Sequence, residues 1–170
     1  MLILVTGLPG SGKSTVARLL AKQLDAHILN SDVIRRELYP IARTYSSQET
    51  QQVIRETERR ARELLQAGGT VILDALFTKQ RPREEYRELA QEIGAPFHIV
   101  YVVAPEEKTR ERLELRAQLG DASEATFEYY LNRKPHFEAV QGEHFVIHNE
   151  GDGASLEANV REVASKLATV

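Results

Sequence analysis

Residues 1–24 read MLILVTGLPGSGKSTVARLLAKQL, and this stretch decides the fold. Leu2-Ile3-Leu4-Val5 is an unbroken apolar run, as a strand buried on both faces requires. Val16, Ala17, Leu20 and Leu24 then recur at helical spacing, so a helix with one apolar side follows. Between the two lies Gly7-Leu-Pro-Gly10-Ser11-Gly12-Lys13-Ser14, which fits the phosphate-loop pattern G-x4-G-K-[ST]. Gly7, Gly10 and Gly12 let the backbone curl with its N–H groups pointing inward, an anion nest at a helix N-terminus. Lys13 is placed to reach the terminal phosphates of a nucleoside triphosphate, and the Ser14 hydroxyl to ligate Mg2+. Pro9, Ser11 and Thr15 complete the expected nucleotide-binding set. A glycine-rich turn that binds nothing would explain the curl but would leave Lys13 and Ser14 without a purpose.

Composition bounds the remainder. The chain has 170 residues, 42% of them hydrophobic, enough for one domain with its own core across residues 1–170. No charge run, low-complexity segment or internal repeat suggests a second one. The net charge of −3 weighs against an extended nucleic-acid surface and leaves room only for a local basic patch. Absence of cysteine excludes disulfides and cysteine metal sites. No apolar stretch approaches a membrane span, and a strand starting at residue 2 leaves no room for a signal peptide, so a cytoplasmic protein without a membrane partner is expected.

Strands and helices alternate along the rest of the chain. Residues 26–29 form a short strand candidate ending at Asn30-Ser31-Asp32, where Ser31 or Asp32 is expected to cap a short helix to Leu38. Ser46 or Ser47 begins a long polar helix to about Ala67, with Val53, Thr57, Ala61, Leu64 and Leu65 on its apolar side. Residues 70–73 read as a second buried strand, closed by Asp74. A helix follows from Thr78 or Lys79, with Tyr86, Leu89, Ala90 and Ile93 facing inward. Phe97 to Val103 is the third clear strand, and Pro105 opens a helix bearing Arg110, Arg112 and Arg116. Another helix is expected from about Ser123 to beyond Asn132, then a last strand at 145–147 and a closing helix through Leu156, Val160, Val163 and Leu167. Repeated βα units imply a parallel sheet covered on both faces, a three-layer α/β sandwich of five strands.

Ligands of such sheets sit beyond the carboxyl ends of the strands, so strand-end polar residues carry the chemistry. Asp74, after Val-Ile-Leu, has the form of an acid that holds Mg2+ directly or through water; the alternative is a turn or cap aspartate. Arg35 lies one helical turn beyond Asp32 on the same face. A carboxylate near the γ-phosphate can take the proton of an attacking hydroxyl while a neighbouring arginine holds the acceptor; the alternative for Asp32 is a helix cap.

GLPGSGKST, Asn30-Ser-Asp32-Val-Ile-Arg35, Val-Ile-Leu-Asp74 and Arg112-x3-Arg116 together resemble the small P-loop kinases. These include phage 5′-hydroxyl polynucleotide kinase, chloramphenicol phosphotransferase, zeta-type toxins and AAA-type kinases of unassigned substrate. The resemblance spans nearly the whole chain, strongest at the phosphate loop and weak beyond Pro135. It implies a nucleoside-kinase-like P-loop fold with a helical lid at about residues 105–136, Asp32 as general base, and Arg35 on acceptor or phosphate. It further implies that one lid arginine, Arg112 or its competitor Arg110, stacks on the base, while Arg116 reaches the transferring phosphates. The alternative for these arginines is a solvated face paired with Glu107, Glu111 and Glu114. Residues 149–153 sit where the family keeps its nucleotide-base loop.

The expected activity is transfer of the γ-phosphate of ATP·Mg2+ to a hydroxyl of a small molecule, with Lys13, Asp32, Arg35 and Arg116 as the catalytic set and Ser14 and Asp74 at the metal. Two other readings stand beside it. A polynucleotide 5′-kinase would need a basic, aromatic-bearing channel, for which Arg35, Arg36, Arg43, Tyr39 and Tyr45 are candidates. A nucleotide-dependent switch or simple ATPase would have no use for the Asp32/Arg35 pair. The arginines are expected to be carried to the loop by a hinge over residues 118–123, with Gly120 supplying freedom and Ser123 capping the helix beyond.

Overall fold

The computed structural model describes residues 1–119 and 125–169, with side chains described to Arg116 and again from Ala125. In chain order its elements are β1 (Leu2–Thr6), α1 (Lys13–Leu24), β2 (His27–Asn30), α2 (Ser31–Leu38), α3 (Ser47–Gln66), β3 (Val71–Asp74) and α4 (Gln80–Ile93). There follow β4 (Phe97–Val103), α5 (Glu106–Leu119), α6 (Phe127–Arg133), a 3-10 turn (Lys134–His136), β5 (Phe145–His148) and α7 (Gly153–Leu167). The strands make one five-stranded sheet in the order β2-β3-β1-β4-β5, every pairing parallel. This is the expected three-layer α/β sandwich.

The apolar run of β1 explains its central place. All five of its residues are buried, because side chains alternate between two covered faces. Ile3 and Val5 join Val16, Ala17 and Leu20 of α1 and Leu156, Val160, Val163 and Leu167 of α7 in one core cluster. Leu2 and Leu4 join Ile34 of α2, Val53, Ala61 and Leu65 of α3, and Tyr86, Leu89 and Ala90 of α4 in the other. Among the described residues no helix is long and apolar enough to cross a membrane.

Several strand boundaries shift by a residue from the sequence reading, and the one that bears on the site is at β2 and the start of α2. Helix α2 is capped by Asn30, not by Ser31 or Asp32: its Oδ1 accepts from the backbone N–H of Asp32 at 3.0 Å and of Val33 at 2.9 Å. Strand β2 runs one residue further than expected, pairing Asn30 with Asp74, and this puts Asn30 at the half-in position a cap needs. Beyond α5, the cap of α6 is Thr126, whose hydroxyl accepts from Tyr129 N–H. The expected Ser123 cap and the hinge residues from Gly120 to Ser123 lie outside the described residues.

Candidate active site

The loop after β1 takes the shape its glycines permit. Gly10 and Gly12 have φ of 77° and 98°, in the left-handed region where a side chain is strained. Space is also closed to side chains: a Cβ on Gly10 would come within 2.8 Å of Thr109 Cγ2 and 2.9 Å of Leu113 Cγ, while one on Gly12 would overlap Asn149 Nδ2. Gly7 packs equally tightly, against Val102 O and Ser11 Oγ. The loop is thus held between α5 and the residue that follows β5.

Helix α1 begins at Lys13 with no side-chain cap, so its first N–H groups are offered to whatever enters the cleft. Buried Ser11 Oγ, which lies against Gly7, has no hydrogen-bond partner among the described residues. Lys13 Nζ donates to Leu8 O at 3.0 Å within the loop itself. Burial pulls the Lys13 ammonium down, Asp74 and Asp32 oppose this and Arg116 adds to it, leaving it at about 8. These opposing influences come from both acids and Arg116 lying within electrostatic reach of one lysine.

A cleft of about 570 Å³ opens beyond the carboxyl ends of the strands. Its floor is Pro9, Gly10, Gly12, Lys13, Ser14 and Asp74; Ser31, Asp32, Arg35, Tyr45 and Thr50 form one wall, and Arg116, Thr126, Tyr129 and Arg133 the other. Gly7, Ser11 and Thr15 support the loop without lining this cleft. Thr15 Oγ1 accepts from Arg18 on the outer side of α1. Of the residues considered for a basic, aromatic channel, Arg35 and Tyr45 line the cleft, while Arg36, Tyr39 and Arg43 are absent from its lining.

Asp74 is buried at 3% exposure, and one of its oxygens accepts from Asn30 Nδ2 at 2.5 Å. Asn30 therefore does two things: it caps α2 and orients Asp74. Ser14 and Asp74 offer a hydroxyl and a carboxylate at the same cleft, a donor pair that suits Mg2+ completing its shell with phosphate oxygens and water. Among the described residues no cluster of three or more acids or histidines forms an all-protein metal cage, which Mg2+ does not need.

Arg35 lines the cleft, but its guanidinium is held by Glu49 at 2.5 Å and contacts Thr50 Oγ1 at 3.5 Å. Burial alone would raise the Glu49 carboxyl. Hydrogen bonds from Arg35 and from Thr44 N–H and hydroxyl outweigh it and hold Glu49 at about 2. Arg35 thus brings to the cleft wall a charge already balanced by Glu49, a partner the sequence reading missed.

On the other side, α5 supplies both expected arginines. Arg112 donates to Asn149 Oδ1 at 2.8 Å and Asn149 O at 3.2 Å, and reaches Gly10 O and Ser11 O at 3.4 and 3.5 Å. Asn149 in turn donates to Ser11 O at 2.9 Å, tying the loop after β5 to the phosphate loop. Burial and the neighbouring Arg116 lower Arg112 from its ordinary value, against the pull of Glu111. Thr109 and Leu113, each 1% exposed, pack α5 on Gly10 and so bring Arg112 to the loop. Arg110, the competing candidate for base stacking, lies over the Phe127 ring at 4.3 Å and links α5 to α6 instead.

Arg83 was also missed. It is fully buried on α4, donating to Phe77 O at 2.9 Å, Glu138 O at 2.8 Å and Ala139 O at 3.1 Å. It fastens the segment beyond α6 to the loop beyond Asp74. Its neighbours Glu84 and Glu85 make that helix face read as solvated, and two of its partners, Glu138 and Ala139, lie more than fifty positions away.

Comparison with known proteins agrees with this fold. The chain is similar over 96% of its length to a UPF0200 protein of Aeropyrum pernix, 31% identical with 92% of that protein covered. It is 28% identical to an adenylyl-sulfate kinase of Myxococcus xanthus, covering 96% of this chain and 88% of that one. Among solved structures, Chaetomium thermophilum Kti12 in complex with ADP-AlF3 superposes with a TM-score of 0.78 at 24% identity, over 99% of this chain and 98% of that one. The family model AAA_33, an AAA domain, matches residues 2–139, from β1 through the segment that Arg83 anchors. The chain belongs to this AAA domain family and has the fold of the small P-loop kinases.

Proposed function

We propose that the protein transfers the γ-phosphate of ATP to the hydroxyl of a small-molecule acceptor. The observation that carries this is the gathering of Lys13, Ser14, Asp32, Asp74 and Arg116 around one cleft, with Asn30 and not Asp32 serving as the cap of α2. Kinship with an adenylyl-sulfate kinase supports it.

The acceptor hydroxyl oxygen attacks the γ-phosphorus in line, the bond to the β–γ bridging oxygen breaks, and ADP leaves. Asp32 accepts the hydroxyl proton. The loop N–H groups, Lys13 and Arg116 offset the charge spread over the equatorial oxygens, and positioning supplies most of the catalysis. Mg2+ held by Ser14 and Asp74 would neutralise charge on the β- and γ-phosphates. Arg112, bonded to the loop and Asn149, borders the nucleotide-base side. Arg35 fixes the acceptor wall. The α5–α6 pair acts as the lid that excludes water.

A screen of hydroxyl compounds for acceptor-dependent ADP release tests the proposal. At least one acceptor should raise ADP release well above the rate with ATP alone. A rate indifferent to every class of hydroxyl acceptor would favour an ATPase or a switch.

A further inference from the structure

Two tyrosines on separate elements line the cleft. Tyr45, between α2 and α3, and Tyr129, on α6, both line it while remaining 48% and 37% exposed. Each ring is covered by an arginine: Arg35 Cζ stands 4.7 Å from the Tyr45 centroid, and Arg133 Cζ 4.8 Å from that of Tyr129. Tyr45 also has a φ of 53°, a left-handed conformation that a bulky residue keeps only when its surroundings over-determine it. Glu49 does so. Its carboxylate accepts from Thr44 N–H at 2.7 Å, Thr44 Oγ1 at 2.9 Å and Tyr45 N–H at 3.2 Å, and the same carboxylate holds the Arg35 that covers the ring. Core packing does not account for a strained, half-exposed tyrosine at a cleft. Strain of this kind gathers at ligand clamps.

We infer that the acceptor carries a planar aromatic or heteroaromatic ring, which stacks at Tyr45 and Tyr129 while its hydroxyl lies toward Asp32. The inference rests on the phosphotransfer reading above and names its substrate class. An aromatic ring backed by a guanidinium offers a flat, polarisable face, which suits a π-system. The small hydroxyls nearby, Ser31, Thr50 and Thr126, supply polar edges for ring substituents. A cleft of about 570 Å³, shared with the terminal phosphates, fits one ring-bearing monomer.

Equilibrium dialysis on the full chain saturated with AMPPNP and Mg2+ tests this. The ring-bearing probes are adenosine, cytidine and pyridoxine; ribose and gluconate are the ringless or non-planar comparison. At least one ring-bearing probe should bind saturably, and at least about tenfold more tightly than ribose or gluconate. Tyr45→Leu and Tyr129→Leu should each weaken that probe by about tenfold, whereas Tyr45→Phe, which keeps the ring, should stay within about twofold of wild type. Tyr129→Leu reports from a separate element, so distortion of the loop around Tyr45 cannot mimic the result. If the wild-type chain takes up AMPPNP but binds ribose as well as every ring-bearing probe, or if both leucine variants keep wild-type affinity, ring recognition is overturned and phosphotransfer stands. If only a 5′-hydroxyl trinucleotide binds, the monomeric acceptor is overturned. Failure of the wild-type chain to bind AMPPNP overturns both readings.

Discussion

Asp32 and Asn30 can be told apart by substitution, because the structure gives capping to Asn30 and the proposed mechanism gives proton transfer to Asp32. Asn30→Ala removes the acceptor of two α2 amide bonds, at 3.0 and 2.9 Å, and the donor to Asp74 at 2.5 Å. Loss of an N-cap costs about 1 kcal/mol. Loss of a hydrogen bond to a charged, buried carboxylate costs about 1.5–3 kcal/mol. Together these come to about 2.5–4 kcal/mol, on the order of 10 °C in Tm for a chain of this size. Asp32→Asn keeps the shape of the side chain and the cap beneath it, so its Tm should stay within about 2 °C of wild type. Its kcat should fall about 100-fold or more, because the amide cannot take the hydroxyl proton. ATP affinity should hold. Scanning calorimetry, ATP titration and acceptor-dependent ADP release on both variants provide the three readings. An Asp32→Asn protein that melts like Asn30→Ala yet turns over like wild type would refute the assignment and return Asp32 to a structural role.

Other expectations follow from the same contacts. Lys13→Ala should nearly abolish turnover with little change in Tm, since among the described residues its Nζ donates one hydrogen bond, to a loop carbonyl; retained activity would remove the lysine from the phosphate site. The Lys13 ammonium, lowered to about 8, should regain its proton beside the phosphates. Calorimetric ATP titrations in buffers of different ionisation enthalpy should therefore show uptake approaching one proton near pH 9 and none near pH 6.5. The sign for stability follows from the unfolded lysine holding its proton to about 10.4: stability without nucleotide should rise from about pH 8 toward that value. Gly12→Ala, which would overlap Asn149 Nδ2 at a φ of 98°, should weaken ATP at least about tenfold, and adding Asn149→Ala should recover part of it; equal loss in both proteins would locate the damage in backbone strain alone. Arg116→Ala should lower kcat more than it raises KM for ATP, and Arg112→Ala should act mainly on KM; small changes in both would assign them to a helix face.

Much of this was legible in the chain. The buried run of β1, the loop and the amphipathic α1 announce themselves, because each rests on neighbours within a few residues. Asp74 was legible for the same reason, at the end of an apolar strand. What stayed hidden depends on register or distance. Asn30, Ser31 and Asp32 can all cap a helix, and only the extra residue of pairing that β2 makes with β3 selects Asn30. Glu49 reads as a first-turn acid suited to a helix N-terminus, and nothing local reveals that Arg35, fourteen residues earlier, buries it. Asn149 was placed near the base loop by position alone. Its bonds to Ser11 and Arg112 join three segments that share no sequence pattern.

The central claim is that ATP loses its γ-phosphate to a hydroxyl and not to water. A single turnover of γ-labelled ATP on excess enzyme, quenched in the presence of the best acceptor from the screen, measures this directly. Most of the label should appear in an acid-stable phosphomonoester of the acceptor, and that ester should be lost in Asp32→Asn. Label recovered only as inorganic phosphate, whatever acceptor is present, would contradict the account.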